Sequence, residues 1–277
     1  MALQHNIPGA DGVNLHVREF GNPQGQPLVL IHGWSQSHQC WVQQYDSELA
    51  ATFRIITPDL RGHGQSDKPL GDTHYTGSRV WAEDLAAVIS KLQLERPVLV
   101  GWSYGGLVIG HYLKHFGDAG LAGLNFVGAG VRVGTAHIGT LLGETFLTVL
   151  PLVTSPDLSA NIAGIRQFLG ACFTQIISRE DWESTLAFNM VVPPAVRAAL
   201  LAEEVDITPQ LATITRPTLM THGLADVLVL PASGQLLLAC CPSARASWYE
   251  GVGHGPFLEA PARFNAELAA FARAAVA

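Results

Sequence analysis

The chain has 277 residues, of which 48% are hydrophobic and only 14% are charged, so it is long and apolar enough to bury a large core. Its net charge of −7, with no visible cluster of lysine or arginine, argues against nucleic-acid binding. Its apolar runs are interrupted well short of a membrane span, and residues 1–11 lack the basic and apolar regions of a secretory signal. We therefore expect a cytoplasmic protein without a membrane partner.

Strand and helix patterns alternate through the N-terminal half of the chain. Alternating hydrophobicity predicts a half-exposed strand at residues 13–20, and a continuous apolar run predicts a strand buried on both faces at residues 28–31. The next predicted elements are a strand at 53–60, an amphipathic helix at 79–94 and a strand at 97–100.

Three further strands are predicted at residues 123–127, 218–221 and 246–249. Repeated strand–helix units favour a mostly parallel sheet that is covered by helices on both faces. The sequence therefore predicts an α/β fold, with its core in residues 1–130 and 210–277.

Residues 131–209 break the alternation with a run of apolar helices and no strand pattern. We predict three helices and a short fourth, at residues 141–150 (ended by Pro151), 162–177 and 179–190 and after Pro193-Pro194. An insert of this kind favours a cap over a cleft. The alternative is that its helices form one side of the core.

A serine lies between two glycines in the segment Gly101-Trp102-Ser103-Tyr104-Gly105, which follows a predicted strand and precedes an apolar, helix-like run. The glycines indicate that strand and helix approach each other closely. The pattern is typical of a sharp strand-to-helix turn that lifts a serine hydroxyl into a cleft. It predicts a nucleophilic Ser103 in a strained backbone conformation, with an ordinary glycine-rich turn as the alternative.

A serine nucleophile requires a histidine base and a carboxylate that orients the histidine. Among 11 histidines, His254 lies in a glycine-rich loop directly after the last predicted strand, so we predict that it is the base. His32, His63 and His222 also flank glycines at this sheet edge. Their positions beside tight turns favour structural hydrogen bonds to the backbone instead.

Asp226, in the loop after the strand at 218–221, is the predicted orienting acid. The chain order Ser103, Asp226, His254 is the order found in enzymes with this serine turn. The other candidate acids lie in less suitable places: Asp59 and Asp67 near Arg61 and Lys68, where we expect ion pairs, and Asp157 in the insert.

The negative charge that develops on a substrate oxygen needs hydrogen-bond donors. One predicted donor is the backbone N–H of Tyr104, immediately after the serine. The second is the backbone N–H of Trp34, because Gly33 allows the loop after the strand at 28–31 to turn that amide into the cleft.

Five motifs together resemble the α/β-hydrolase fold family: His32-Gly33-Trp34, the run from Asp59 to Pro69, the run from Gly101 to Gly106, the run from His222 to Asp226, and Gly253-His254. They occur in the family's order and span nearly the whole chain outside the insert. The resemblance implies an eight-stranded, mostly parallel sheet with a helical cap after the sixth strand. It also implies a catalytic triad of Ser103, His254 and Asp226.

The chain resembles haloalkane dehalogenases and epoxide hydrolases around residues 59–69, but those enzymes carry an aspartate where this chain has Ser103. We therefore predict hydrolysis of a carboxylic ester through an acyl-enzyme, with a small-molecule ester or lactone and water as partners. The predicted substrate pocket is apolar and includes Trp34, Tyr104, Phe146, Phe168, Trp182 and Phe188, although such aromatic residues also serve as ordinary packing.

Local segments resemble relatives with other activities. Residues 32–34 resemble cofactor-free haloperoxidases, which are esterases with a perhydrolase side activity. Residues 253–261, together with residues 101–103, resemble acyl-homoserine lactonases. Residues 66–69 resemble meta-cleavage-product hydrolases, which cut C–C bonds. These activities stay open as alternatives, as does a ligand-binding receptor on the same fold.

The four cysteines, Cys40, Cys172, Cys240 and Cys241, show no metal-ligand spacing. We expect reduced thiols that pack as small apolar side chains, and neither a metal nor an organic cofactor.

Overall fold

The computed structural model describes residues 2–174 and 178–276. Within them the chain forms ten strands: β1 (Leu3–Pro8), β2 (Asn14–Gly21), β3 (Pro27–Ile31), β4 (Arg54–Pro58), β5 (Val98–Trp102), β6 (Gly123–Val127), β7 (Arg132–Val133), β8 (Val205–Asp206), β9 (Thr218–Gly223) and β10 (Ala244–Tyr249). The same residues form twelve α-helices: α1 (Val42–Tyr45), α2 (Leu49–Thr52), α3 (Ser78–Lys91), α4 (Tyr104–Phe116), α5 (Thr145–Val153), α6 (Leu158–Cys172), α7 (Arg179–Met190), α8 (Pro194–Leu201), α9 (Thr208–Leu211), α10 (Pro231–Cys240), α11 (Pro256–Glu259) and α12 (Pro261–Ala274).

Eight strands form one sheet in the order β1-β2-β4-β3-β5-β6-β9-β10. β2 pairs antiparallel with both of its neighbours, whereas the strands from β4 to β10 in that order pair in parallel. The predicted α/β architecture, a mostly parallel eight-stranded sheet flanked by helices, is confirmed. Because the carboxyl ends of parallel strands meet at one edge, the loops after β3, β5, β9 and β10 converge there.

The central strands are covered on both faces. Along β3, Val29 and Ile31 pack in the core cluster that contains residues of α3 and α4, while Leu28 and Leu30 pack in the cluster that contains residues of α12. All four side chains are fully buried. A strand that is buried on both faces reads as a continuous apolar run, which explains why the sequence predicted its position.

The first strand, β1, has no counterpart among the predicted elements. Only Ile7 of its 6 residues is buried. β1 lies at the edge of the sheet and pairs with β2 alone. An edge strand that exposes nearly all of its side chains carries no hydrophobic periodicity, so the pattern-based prediction missed it.

The prediction that no strand interrupts residues 131–209 is wrong. β7 and β8 form a two-stranded antiparallel ribbon, in which Arg132 lies opposite Asp206. Their side chains form an ion pair, with Nε of Arg132 3.0 Å from Oδ2 of Asp206. Strands of two residues are too short to show a period, and this ribbon joins the beginning of the insert to its end.

The prediction that Pro151 ends a helix is also wrong. α5 begins at Thr145, later than predicted, and continues through Pro151 to Val153. Proline removes its own N–H from the helix, but later residues can still donate. The backbone N–H and the hydroxyl of Thr154 both donate to the carbonyl of Leu150, at 3.1 and 2.7 Å, and they hold the last turn.

Of the other helices of the insert, α7 and α8 agree with the predictions, whereas α6 begins earlier than the predicted residue 162. α6 begins at Leu158 because the carboxylate of Asp157 caps it, accepting from the N–H of Ala160 at 2.8 Å. α6 ends at Cys172, because Phe173 is already extended, so the prediction that the helix continues beyond Cys172 is wrong. The predicted end at Ile177 lies outside the described residues. α7 has the predicted bounds, and Pro194 begins α8. Within the described residues no single helix is long and apolar enough to cross a membrane. Taken together, α7 and α8 have sufficient length and apolar composition, but the two helices are bent by 82° relative to each other.

Candidate active site

Ser103 lies at the turn between β5 and α4. Its backbone has φ 53° and ψ −114°, a conformation that non-glycine residues rarely adopt. A Cβ at position 101 would lie 2.6 Å from the carbonyl oxygen of Gly105, and a Cβ at position 105 would overlap the carbonyl oxygen of Ile31. The close approach predicted for the two glycines is therefore present, and it holds the serine at the carboxyl end of β5.

We expect Gly105→Ala to lower the free energy of unfolding by roughly 3 kcal/mol, because the added methyl group collides with backbone that cannot rotate away. Gly170→Ala is the matched control, since this helical glycine is exposed and an added Cβ would have no atom within 4 Å. We expect the control to stabilise the protein by up to about 1 kcal/mol. Urea unfolding of both variants measures the difference, and equal stabilities would contradict the argument.

The side chains of His254 and Asp226 meet at the carboxyl edge of the sheet. Nδ1 of His254 lies 2.7 Å from Oδ2 of Asp226, and both residues are 2% exposed. The other carboxylate oxygen of Asp226 accepts from the backbone N–H groups of Leu228 and Val229, at 2.9 and 3.0 Å. The loop after β9 thus fixes the carboxylate through its own amides, and the carboxylate fixes the imidazole.

Burial opposes ionisation of Asp226, but the charges and hydrogen bonds of His254 and His222 outweigh it. Together they lower the pKa of Asp226 to about 2. The group is therefore a carboxylate at neutral pH, able to accept a hydrogen bond from the Nδ1–H of His254 and to stabilise an imidazolium.

The backbone of His254 is anchored from two sides. Its N–H donates to the carbonyl of Cys172 at the end of α6, at 2.8 Å. Its carbonyl accepts from the indole N–H of Trp102, also at 2.8 Å. These two contacts were not predicted, although the position of Trp102 directly before the serine was a signal that its side chain lies near the site.

The three histidines interpreted as structural all make backbone hydrogen bonds. His32 receives the N–H of Leu60 on Nε2 at 3.0 Å, and His63 receives the N–H of Ser35 on Nε2 at 3.1 Å. Burial lowers the pKa of His32 to about 4 and that of His63 to about 3, so both rings are neutral at pH 7. Nε2 of His222 lies 2.9 Å from the carbonyl oxygen of Val229.

Asp59 does not form the ion pair expected with Arg61 or Lys68. Its carboxylate instead accepts from His16 and His38, at 3.1 and 3.0 Å, while Arg61 pairs with Asp84. Burial opposes ionisation of Asp59, but the hydrogen bonds from the two histidines hold its pKa well below the usual range. Sequence proximity suggested the wrong partners, because β2 brings His16 across from another part of the chain.

His16, His38 and Asp59 are also the one group of potential metal ligands within the described residues whose ligand atoms lie within 4.8 Å of one another. Both oxygens of Asp59 are already used, because they also accept from the backbone N–H groups of His38 and Gln65, at 2.7 and 2.9 Å. These hydrogen bonds explain the group of His16, His38 and Asp59 as a structural network that fixes the loops around Asp59.

The other two competing acids also have structural partners. Asp67 accepts from the backbone N–H of Asn14 at 2.8 Å, and Asp157 caps α6. Among the three competitors, none makes a described contact with His254.

The backbone around Trp34 runs beside the serine. A Cβ at Gly33 would lie 3.1 Å from Cβ of Ser103, so a larger residue there would press on the serine. Tyr104 is the first residue of α4, where a backbone N–H has no acceptor within the helix. Among the described hydrogen bonds, neither the N–H of Trp34 nor that of Tyr104 has a partner.

A cavity of about 70 Å³ opens at Ser103 and His254, enough for roughly five water molecules. Four of the predicted pocket residues line it: Trp34, Tyr104, Phe146 and Phe168. Trp182 and Phe188 are not among its lining residues, and Phe188 packs instead in the core cluster that contains Trp41 and Phe257. On α7, those two aromatic residues serve packing.

The rest of the cavity wall is largely aliphatic and was not predicted. It consists of Leu107, Gly130, Val133, Gly134, Thr135, Ile138, Leu142, Leu150, Leu201 and Val229. Among the described residues that line the cavity, none is a lysine, arginine, aspartate or glutamate. The cavity therefore favours an uncharged, apolar ligand. The position of residues 130–138 directly after β6, at the carboxyl edge of the sheet, was the available signal.

A serine raised on a strand-to-helix turn, at the carboxyl edge of a mostly parallel sheet, defines the α/β hydrolases as a class. The sequence matches the alpha/beta hydrolase family over residues 28–267. The chain belongs to this family, and it is therefore an α/β hydrolase.

Several known proteins are similar to the chain over nearly its whole length. A solved structure provisionally assigned as an aryl esterase from Burkholderia cenocepacia is 34% identical, with a TM-score of 0.94 and 99% of both chains covered. An esterase from Rhodococcus sp. ECU1013 is 35% identical, with a TM-score of 0.90 and 98% of both chains covered. A non-heme chloroperoxidase from Streptomyces lividans is 30% identical, covering 96% of this chain and 99% of its own length.

Proposed function

We propose that this protein is a serine esterase that hydrolyses carboxylic esters of small, largely apolar substrates through an acyl-enzyme. The observation that carries the proposal is the hydrogen bond of 2.7 Å between His254 and Asp226, at a cavity that His254 shares with Ser103. The Rhodococcus esterase, 35% identical to the chain, and the structure provisionally assigned as an aryl esterase, 34% identical, support the same bond class.

In the proposed mechanism the hydroxyl of Ser103 attacks the ester carbonyl carbon and transfers its proton to Nε2 of His254. Asp226 holds the tautomer with the proton on Nδ1 and stabilises the imidazolium. The backbone N–H groups of Trp34 and Tyr104 donate to the oxyanion. The imidazolium then protonates the departing alcohol, leaving an acyl group on Ser103.

Water completes the cycle by the same steps. His254 removes a proton from a water molecule, which attacks the acyl carbon, and the second tetrahedral intermediate collapses as the proton returns to Ser103. The products are a carboxylic acid and a free enzyme. Each step uses side chains, backbone amides and water.

We also propose that residues 131–209 act as a cap on a core of residues 1–130 and 210–277. Phe146, Leu150 and Phe168 from the insert face Ser103 and His254 from the core across one cavity, which supports this division. A cytoplasmic location is proposed as well, and the four free thiols support it, because thiols persist in a reducing compartment.

A substrate panel tests the proposal on the purified protein. We expect turnover of p-nitrophenyl acetate and butyrate, and labelling of Ser103 by a fluorophosphonate, detected by mass spectrometry of the labelled peptide. Absence of both turnover and labelling in folded protein would favour the receptor alternative. Faster turnover of an acyl-homoserine lactone or a vinylogous diketone would instead indicate a lactonase or a C–C bond hydrolase. Formation of a peracid in the presence of hydrogen peroxide would indicate perhydrolysis.

Cavity size predicts a preference for short acyl chains. We expect Phe146→Ala to raise the ratio of kcat/KM for p-nitrophenyl octanoate to that for acetate by roughly tenfold, because the lost ring makes space for several methylene groups. Trp182→Ala is the matched control, since Trp182 is an aromatic residue of the same insert that does not line the cavity. An equal change of the ratio in both variants would mean that Phe146 does not limit the acyl site.

A further inference from the structure

Arg197, on α8 of the insert, is a fully buried arginine with an unusual set of partners. Its guanidinium donates to the hydroxyl of Ser35 at 2.8 Å and to Oδ1 of Asn161 at 3.0 Å. It also donates to the backbone carbonyls of Val153, at 2.9 Å, and of Asn189. All four acceptors are neutral, and no salt bridge is found for Arg197 among the described residues.

A buried guanidinium without a counter-ion is costly, so it calls for a role beyond filling space. Burial lowers the pKa of Arg197 only to about 10, so the group is still a cation at neutral pH. Its planar fork holds several acceptors in fixed directions, which a lysine or an apolar side chain cannot do. The acceptors lie on α5, on α6, on α7 and in the loop after β3, so one side chain joins four segments.

One of those segments carries the proposed oxyanion donor. Ser35 follows Trp34 directly and has φ 63°, a left-handed conformation that is strained for a residue with a side chain. The guanidinium of Arg197 donates a hydrogen bond to the hydroxyl of Ser35, and the backbone N–H of Ser35 donates to Nε2 of His63 at 3.1 Å. Strain of this kind persists only where the surroundings determine the conformation.

The main chain of Arg197 holds the neighbouring residue as well. The indole N–H of Trp34 donates to the carbonyl of Arg197 at 3.2 Å. Trp34 and Ser35 are therefore both tied to the same residue of the insert, one through its carbonyl and one through its guanidinium. The direction of the Trp34 backbone N–H depends on the orientation of the peptide between Gly33 and Trp34, and on the turn at Ser35 that follows.

We infer that Arg197 is a positioning residue that sets the direction of the Trp34 amide through Ser35, so that the insert must be seated before the oxyanion site is complete. The inference rests on the proposed function, because it assigns the Trp34 amide to an oxyanion. In consequence, a substrate that holds the insert in place also completes the catalytic machinery, whereas a displaced insert leaves the core with a single donor, the Tyr104 amide.

The test combines ester kinetics with amide hydrogen exchange on the full chain. For Arg197→Met we expect kcat for p-nitrophenyl acetate to fall roughly 10- to 100-fold with KM within threefold, because an oxyanion donor acts mainly in the transition state. We also expect amide exchange at residues 33–37 to become at least tenfold faster, while exchange in β5 stays unchanged. Arg197→Lys should restore little of the lost kcat, since an ammonium cannot donate to the same set of acceptors.

Asn161→Leu is the matched control. It removes another acceptor of Arg197 within the insert but leaves the contact with Ser35 in place. We expect a lower melting temperature, with kcat and exchange at residues 33–37 within threefold of wild type. If Asn161→Leu loses as much kcat as Arg197→Met, the arginine merely stabilises the insert and the inference is overturned.

Ser35→Ala removes the same contact from the other side and serves if Arg197→Met does not fold. It should reproduce the loss of kcat and the faster exchange. An unchanged kcat in a folded variant overturns the inference, as does unchanged exchange at residues 33–37. A wild-type protein without ester turnover would instead refute the proposed function, and the exchange measurement would then still decide whether Arg197 anchors the loop.

Discussion

We expect Ser103→Ala to lower kcat for p-nitrophenyl acetate by roughly 10⁵-fold, because the variant lacks the oxygen that forms the acyl-enzyme. The residual rate over water comes from the cavity and from the two backbone amides, which do not depend on the hydroxyl. The variant should also lose fluorophosphonate labelling. Stopped-flow assays measure the wild-type rate, and assays over hours measure the residual rate of the variant.

Backbone strain at Ser103 provides a control that separates chemistry from folding. Alanine keeps the strained φ of 53°, whereas glycine adopts it freely. We therefore expect Ser103→Gly to be as inactive as Ser103→Ala but to melt at a higher temperature, with a gain of about 1 to 2 kcal/mol in the free energy of unfolding. Either variant with a wild-type rate would remove Ser103 from the mechanism.

The second large effect concerns Asp226→Asn, for which we expect kcat to fall roughly 10³- to 10⁴-fold. The amide oxygen can still accept from Leu228 and Val229, so the amide nitrogen turns toward Nδ1 of His254. That nitrogen donates, and it forces the ring into the tautomer with the proton on Nε2. The imidazole then cannot accept the proton of Ser103.

Asp157→Asn is the control for this substitution. Asp157 caps α6, and asparagine caps helices equally well, so activity and stability should both stay near the wild-type values. If instead Asp226→Asn keeps a near-wild-type rate while its fold is intact, another residue orients His254.

Asp226 also makes a prediction about acid stability. Its pKa is lowered from 3.8 to about 2 in the folded protein, so the folded state favours the carboxylate. The resulting stabilisation, about 2 kcal/mol, is fully present above about pH 5 and is lost progressively as the pH falls through the folded pKa. Between pH 5 and pH 2.5, the free energy of unfolding measured in urea should decrease less for Asp226→Asn than for wild type. Equal decreases would contradict the lowered pKa of Asp226.

Much of the fold was predictable because the central strands are buried on both faces. β3 and β5 each read as an apolar run, whereas β6 and β9 mix apolar residues with a buried asparagine, threonines and a histidine. β1, β7 and β8 were missed, since an exposed edge strand and two strands of two residues leave no periodic trace. The helix through Pro151 was misjudged because the hydroxyl and amide of Thr154 complete its last turn.

The candidate site was predictable to the extent that each residue follows a predicted strand. Ser103, Asp226 and His254 were chosen on that basis, and the structure brings Asp226 and His254 into hydrogen-bond contact beside the cavity that Ser103 lines. Their catalytic roles stay predictions until the variants are measured. The aliphatic cavity wall was missed because it is formed by several separate segments of the chain.

The amino-acid sequence by itself determined the alternation of strands and helices, the turn that carries Ser103 and the order of the acid and the histidine along the chain. These features depend on local patterns, namely apolar runs, glycines at close approaches and residues that end a strand. Only the tertiary structure decided which partners Asp59 takes, which aromatic residues reach the cavity and how Arg197 joins the insert to Ser35. Such contacts link residues far apart in sequence, and each depends on how whole elements pack rather than on any pattern within one of them.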